Sequence, residues 1–213
     1  MTWTSAVGKY CGKLLYKIVD GLALTRISPN MLTFIGLLIN VAAAMVFGFA
    51  STDNNQQRRF LIAGIIIIGA GIFDMVDGRV ARATNQVTVF GAFFDSVIDR
   101  YSDVAIFFGL LVYYARANRF FYVVMVAFVM TASVMVSYTR ARAESLIPSC
   151  KVGFMERPER IVLVIIGAVF NKMAPVIWVL AVLSTITVIH RIRFTYQQAT
   201  PKKELTENVP AAV

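Results

Sequence analysis

The sequence predicts an all-α integral membrane protein: six transmembrane helices preceded by an amphipathic helix on the membrane surface. Three observations predict it. The 213 residues are 58% hydrophobic and only 15% charged, against ~45–50% and ~25% in an average soluble domain. The apolar residues fall into long runs rather than into alternating patterns. The polar residues collect between those runs. Disorder, a coiled coil and a disulfide-rich secreted module are excluded by the same numbers, and the two cysteines, Cys11 and Cys150, read as free thiols. The net charge of +9 points to an anionic membrane surface or phosphate-bearing substrates. A chain this apolar offers no soluble basic face for nucleic acid.

The first ~27 residues lack the long apolar stretch of a signal peptide. Lys9, Lys13 and Lys17 recur every four residues and share a helical face, with Trp3, Val7, Leu14, Leu15 and Ile18 on the rest. This is the pattern of a helix lying in the interface. Ser28 then offers a helix cap and Pro29 a first helical residue. Residues 31–50 carry no charge, and twenty helical residues rise ~30 Å, one hydrocarbon thickness. A polar loop, 51–59, follows. The next apolar run, 60–73, is too short to span unless its helix continues to about Arg82. The following helix begins with acids and continues through the apolar run 104–114. Residues 120–139 form a fourth span, ending at Arg140 and Arg142. The loop 143–160 is charged. Two further runs, 161–170 and 174–190, are separated by Asn171, Lys172 and Pro175, the first starting near Pro158. Residues 1–195 are read as one membrane domain and 196–213 as a polar tail. The single histidine, His190, reads as an interfacial side chain at a helix end.

Orientation follows from the basic residues near the helix ends. Sixteen of the 21 lysines and arginines fall on the side of the two termini, and five (Arg58, Arg59, Arg116, Arg119, Lys172) on the other. The expected location is the cytoplasmic membrane, with both termini and the acidic helix ends facing the cytoplasm.

Five of the seven aspartates, Asp74, Asp77, Asp95, Asp99 and Asp103, lie within 30 residues. Ionised carboxylates beside hydrocarbon cost several kcal/mol unless paired or bound to metal. Asp74 and Asp77 are three apart and Asp95 and Asp99 four apart, so each pair shares a helix face. Two such pairs on adjacent helices make a four-carboxylate cluster. Oxygen-only ligation selects a hard cation, Mg²⁺, Mn²⁺ or Ca²⁺. The competing readings are an ion-pair network with Arg79, Arg82 and Arg100, or a cation transport pathway. A transporter places its acids through the bilayer depth, whereas these gather at one interface. Asp103 continues the face of Asp95 and Asp99, with Arg100 or Arg142 as its expected partner. Gly78 and Gly91 leave room for a ligand close to the backbone, and Arg82 has the fork to hold a phosphate.

The stretch from Asp74 to Asp99 resembles the signature of the CDP-alcohol phosphotransferase (CDP-alcohol phosphatidyltransferase) family, D-x-x-D-G-x-x-A-R, eight residues, then G-x-x-x-D-x-x-x-D. Asp74, Asp77, Gly78, Ala81, Arg82, Gly91, Asp95 and Asp99 all match. The resemblance covers about residues 1–195 and implies transfer of a phosphoryl-linked group from a CDP-activated alcohol to a hydroxyl, releasing CMP. It implies Asp74, Asp77, Asp95 and Asp99 around two ions, Mg²⁺ or Mn²⁺, with Asp99 as base. It implies Asp74, Gly78, Ala81, Arg82 and Gly91 around the CDP moiety, and a homodimer.

The stretch 137–161, SYTRARAESLIPSCKVGFMERPERI, is a basic segment. By itself it reads either as an acceptor-phosphate pocket or as plain positive-inside bias. Its wording resembles the branch of the family that uses inositol phosphate, that of the phosphatidylinositol-phosphate and archaetidylinositol-phosphate synthases. Arg140 stands where that branch often has lysine. The resemblance implies Arg140, Arg157, Arg160 and, from the last helix, Arg191 as ligands of the acceptor's phosphate. The implied donor is CDP-diacylglycerol and the implied acceptor a phosphorylated polyol, inositol 1-phosphate first and glycerol 3-phosphate second. Ser28, Pro29, Asn30 and Thr33 resemble the family's entry into the first helix, where they either cap or meet nucleotide.

Overall fold

The computed structural model describes residues 28–50, 55–83 and 86–199, with the side chains of 77–81 and 83 outside that description. The expected N-terminal surface helix and most of the expected tail lie outside the described residues. Those described form six α-helices: α1 (Pro29–Gly48), α2 (Gln56–Ala83), α3 (Val89–Arg116), α4 (Phe120–Glu144), α5 (Arg157–Val169) and α6 (Met173–Ala199).

The helix starts follow local chemistry. Ser28 is extended, and its Oγ accepts from the Met31 N–H at 3.4 Å, with Pro29 as the first helical residue. Thr88 caps α3 by accepting from the Gly91 N–H at 2.9 Å. Pro158 sits in the first turn of α5. The α3–α4 and α5–α6 reversals each pass through an asparagine at positive φ, Asn118 at 53° and Asn171 at 52°, a conformation this side chain tolerates. The last helix runs to Ala199, four residues into the stretch 196–213 that the sequence had suggested as a polar tail.

The helices pack as a closed circuit: α1 on α2, α2 on α5, α5 on α6, α6 on α4, α4 on α3, and α3 back on α1. Its core includes Phe47, Phe60, Ile106, Leu110, Tyr113 and Leu180. Edge-to-face contacts run from Phe47 to Phe60 (5.1 Å between centroids) and on to Tyr113 (4.9 Å). A close backbone approach joins α1 and α3. A Cβ placed on Gly109 would run into the Ala44 carbonyl. Small residues at such crossings are how membrane helices gain close packing.

The outward faces remain apolar; Phe34, Leu38, Met45, Phe108, Phe128 and Trp178 are all exposed. Four helices are long and apolar enough to cross a membrane: α1, α2 over Gln56–Val76, α4 and α6. The third helix is long but carries Asp95, Asp99, Arg100 and Asp103 within its first fifteen residues. The fifth has 13 residues, a rise of ~20 Å, less than one hydrocarbon thickness.

Candidate active site

One end of the circuit gathers the polar side chains. It is formed by the start of α1, the end of α2, the starts of α3 and α5, and the C-terminal halves of α4 and α6. Asp74 comes from α2, and Asp95 and Asp99 from successive turns of α3. Each offers a carboxylate oxygen, and the three oxygens lie within 4.8 Å of one another, all half-buried. The spacing argument thus holds for the α3 pair and for its meeting with α2. The Asp77 side chain lies outside the described residues, as do those of Gly78 and Ala81.

An arginine from α5 enters this cluster. Arg157 Nη1 donates to Asp74 Oδ2 at 3.0 Å and lies 2.8 Å from Asp99 Oδ1, and its Nε is 3.6 Å from Asp103 Oδ1. The Asp99 contact is a close charge pair without hydrogen-bond alignment, and that buried oxygen has no other partner. Asp74, Asp99 and Asp103 surround the guanidinium and offset the cost of burying its charge. Three converging carboxylates, one with an oxygen that accepts no hydrogen bond, and oxygen donors alone fit a hard divalent cation.

Asp103 lies one turn further along α3, and here the structure corrects the expected partner. Neither Arg100 nor Arg142 pairs with it. Its Oδ2 accepts from Arg160 Nη2 at 2.6 Å and from Ser133 Oγ at 3.1 Å, both buried. Arg100 instead turns back on its own helix, to the carbonyl and, at 2.7 Å, the hydroxyl of Ser96. Arg142 faces Ser145.

Beside the acids is a cavity of about 130 Å³. Arg100, Arg140, Arg157, Arg160 and Arg191 line it, together with Asp99, Asp103 and Glu156. All four arginines expected to hold the acceptor's phosphate therefore meet in one place, drawn from α4, α5 and α6. They are not equivalent. Arg160 and Arg191 are almost fully buried (1% and 2% exposed) and fixed. Arg160 also donates to the Met155 carbonyl at 3.2 Å. Arg191 donates to the carbonyls of Val152 (2.8 Å) and Val136 (2.5 Å) and to Glu156 Oε1 (3.0 Å). Arg140 is more exposed and donates to Glu144 and Glu156. Lys151 and Arg142 are not among the lining residues. Glu156 is the charged cavity residue that sequence reasoning passed over. Its only signal was its place between Phe154 and Arg157 in the basic segment.

A second cavity, about 250 Å³, reaches Asp95. Pro29, Asn30 and Thr33 of α1, Arg82 of α2, and Thr88, Gly91 and Asp95 line it. Arg82 is exposed there. A Cβ on Gly91 would sit 3.0 Å from Thr88 Oγ1 and 3.4 Å from Asn30 Oδ1. The glycine thus allows the Thr88 cap and Asn30 to come together at the cavity wall. Ser28 acts as a cap, while its neighbours Pro29, Asn30 and Thr33 face the cavity.

Fold and site together define a helical, multi-pass type of membrane protein with a carboxylate cluster at one end, flanked by an arginine-rich cavity and a second, roomier one. More narrowly, the chain belongs to the CDP-alcohol phosphatidyltransferase family, whose model matches residues 26–191, and it is a transferase of that class. It is 39% identical over 180 residues to the archaetidylinositol phosphate synthase of Pyrococcus horikoshii, covering 84% of this chain and 88% of that one. It is 34% identical over 182 residues to the phosphatidylinositol phosphate synthase of Streptomyces avermitilis, covering 78% and 71%. The phosphatidylinositol phosphate synthase of Mycobacterium tuberculosis has a similar fold in its crystal structure with CDP-DAG bound. The TM-score is 0.77 at 29% identity, over 86% of this chain and 94% of that one. A second crystal structure of that protein, in complex with manganese and citrate, gives 0.74 at 30% identity, over 85% and 88%.

Proposed function

We propose that this protein transfers the phosphatidyl group of CDP-diacylglycerol to a hydroxyl of inositol 1-phosphate, forming a phosphatidylinositol phosphate and CMP. The observation that carries the reading is the convergence of Arg140, Arg157, Arg160 and Arg191 on one cavity that also reaches Asp99. A phosphate bound by those guanidiniums brings the rest of its molecule next to the acid cluster. The names of the relatives agree with an inositol-phosphate acceptor.

In this reading Asp74, Asp77, Asp95 and Asp99 hold two divalent cations, Mg²⁺ or Mn²⁺. When bound, these neutralise the pyrophosphate and the departing CMP. The chain's own residues do the rest. Asp74, Gly78, Ala81, Arg82 and Gly91 surround the CDP moiety, in and around the cavity that Asn30 and Thr33 also line. The four arginines fix the acceptor by its phosphate, which converts an encounter in solution into an oriented approach. Asp99 takes the proton of the attacking hydroxyl. The hydroxyl oxygen bonds to the phosphatidyl phosphorus as the bond to the CMP oxygen breaks. The lipid tails stay in the bilayer throughout.

The membrane arrangement belongs to the same proposal. Six spans cross the cytoplasmic membrane, α3 and α5 completing the four that length and composition support, with an amphipathic helix before them. Residues 1–195 make the membrane domain and 196–213 a polar tail. The excess of basic residues supports cytoplasmic termini and a cytoplasmic site. The protein works as a homodimer.

The test is CMP release by the purified protein with CDP-diacylglycerol, Mg²⁺ or Mn²⁺, and one acceptor at a time: inositol 1-phosphate, inositol, glycerol 3-phosphate or serine. The reading requires release with inositol 1-phosphate. Release with glycerol 3-phosphate alone keeps the enzyme class and overturns the acceptor.

A further inference from the structure

Glu156 has no part in the reaction described above, yet it lines the arginine cavity. Its Oε1 accepts from Arg140 Nη1 at 2.9 Å and from Arg191 Nη2 at 3.0 Å. A single anionic oxygen thus sits where guanidiniums from α4 and α6 converge. Neither arginine depends on it for position. Arg191 is tied through Nε and Nη1 to the carbonyls of Val152 and Val136. Arg140 is tied through Nε to Glu144 Oε1 at 3.1 Å. The helix does not depend on it either. Glu156 is the N-cap residue of α5, but its side chain makes no capping hydrogen bond. The side chain is 39% exposed, so it can swing away without opening the core.

We propose that Glu156 is a built-in counter-anion that occupies the phosphate subsite until the acceptor's phosphate displaces it, and so sets the affinity for that acceptor. The inference rests on the acceptor-pocket reading above. A carboxylate oxygen between two guanidiniums presents the same chemistry as one oxygen of a phosphate. A phosphate competes well because it brings more oxygens and charge-assisted bonds to each guanidinium. A neutral hydroxyl does not, because its hydrogen bonds are roughly half as strong. An unphosphorylated polyol therefore meets a subsite already filled.

The experiment uses the full-length protein in detergent with inorganic phosphate as the probe. Phosphate affinity is read from its protection against thermal unfolding, in the wild type, Glu156→Gln and Glu156→Ala. Loss of the carboxylate should tighten phosphate binding about three- to tenfold, the scale of two partly exposed ion pairs. In turnover assays the KM for inositol 1-phosphate should fall by a similar factor, with a smaller change in kcat. Unchanged or weaker phosphate binding in both variants overturns the inference, because Glu156 then positions the arginines. Absence of phosphate protection in all three proteins overturns it as well. Tighter phosphate binding without turnover of inositol 1-phosphate in any of them supports the role of Glu156 and refutes the choice of acceptor instead.

Discussion

The Asp103–Arg160 pair is the test of how this site is built. Both side chains are almost wholly buried (4% and 1% exposed) and meet at 2.6 Å. Ser133 shares the same carboxylate oxygen. Asp103→Ala leaves the guanidinium with the Met155 carbonyl as its one hydrogen-bonding partner and Ser133 without its acceptor. Removing one member of a buried pair costs about 3–5 kcal/mol, because the other charge stays buried. For a chain of this size that corresponds to a fall in Tm of about 6–20 °C. Asp103→Asn keeps the shape and an acceptor oxygen and should lose less. The double variant Asp103→Leu with Arg160→Met removes both charges and should recover much of the loss. The assay is thermal unfolding in one detergent, with the wild type, Asp103→Leu, Arg160→Met and the double variant read as a double-mutant cycle and Asp103→Ala and Asp103→Asn measured beside them. If Asp103→Ala unfolds within about 2 °C of the wild type, the burial of an interdependent pair here is wrong.

Four further outcomes follow from the geometry. Gly109→Ala pushes a Cβ into the Ala44 carbonyl, backbone that cannot rotate away, and should cost about 1–3 kcal/mol in unfolding measurements. Gly69→Ala, where nothing lies within 4 Å of the added Cβ, should be near neutral or slightly stabilising. Asp99→Asn should abolish turnover while the folded protein still binds CDP-lipid; near-normal CMP release would remove Asp99 as base. Arg160→Ala should raise the KM for inositol 1-phosphate well above any change in the CDP-diacylglycerol KM, and equal effects on both would make the arginine purely structural.

Much of the site was legible before the structure. The acids at three- and four-residue spacings fix their own faces, and α2 and α3 bring Asp74, Asp95 and Asp99 within one ligation distance. Ser28, Pro29 and Pro158 mark helix starts by local chemistry that does not depend on tertiary context. Partner choice was not legible. Asp103 had arginines within one turn and 39 residues away as candidates, but pairs with Arg160, 57 residues on, because α3 and α5 meet at the site end of the bundle. Helical spacing identifies neighbours on one helix and says nothing about a facing one. Which face of each helix turns inward was equally hidden. In a bilayer both faces are apolar, so Gly109 against Ala44 leaves no periodic trace. Glu156 escaped notice because its meaning lies in two arginines 16 and 35 residues away.

The central claim is that the aspartate cluster is a divalent-cation site on which CMP release depends. The most direct measurement is the rate of CMP release against Mn²⁺ concentration, after chelator treatment, for the wild type, Asp74→Asn and Asp95→Asn. The account predicts no release in chelator and saturable restoration by Mn²⁺ in the wild type. It predicts an apparent Mn²⁺ affinity weakened at least tenfold, or activity lost, in each variant. Full-rate release in chelator, or a wild-type Mn²⁺ dependence in both variants, would contradict it.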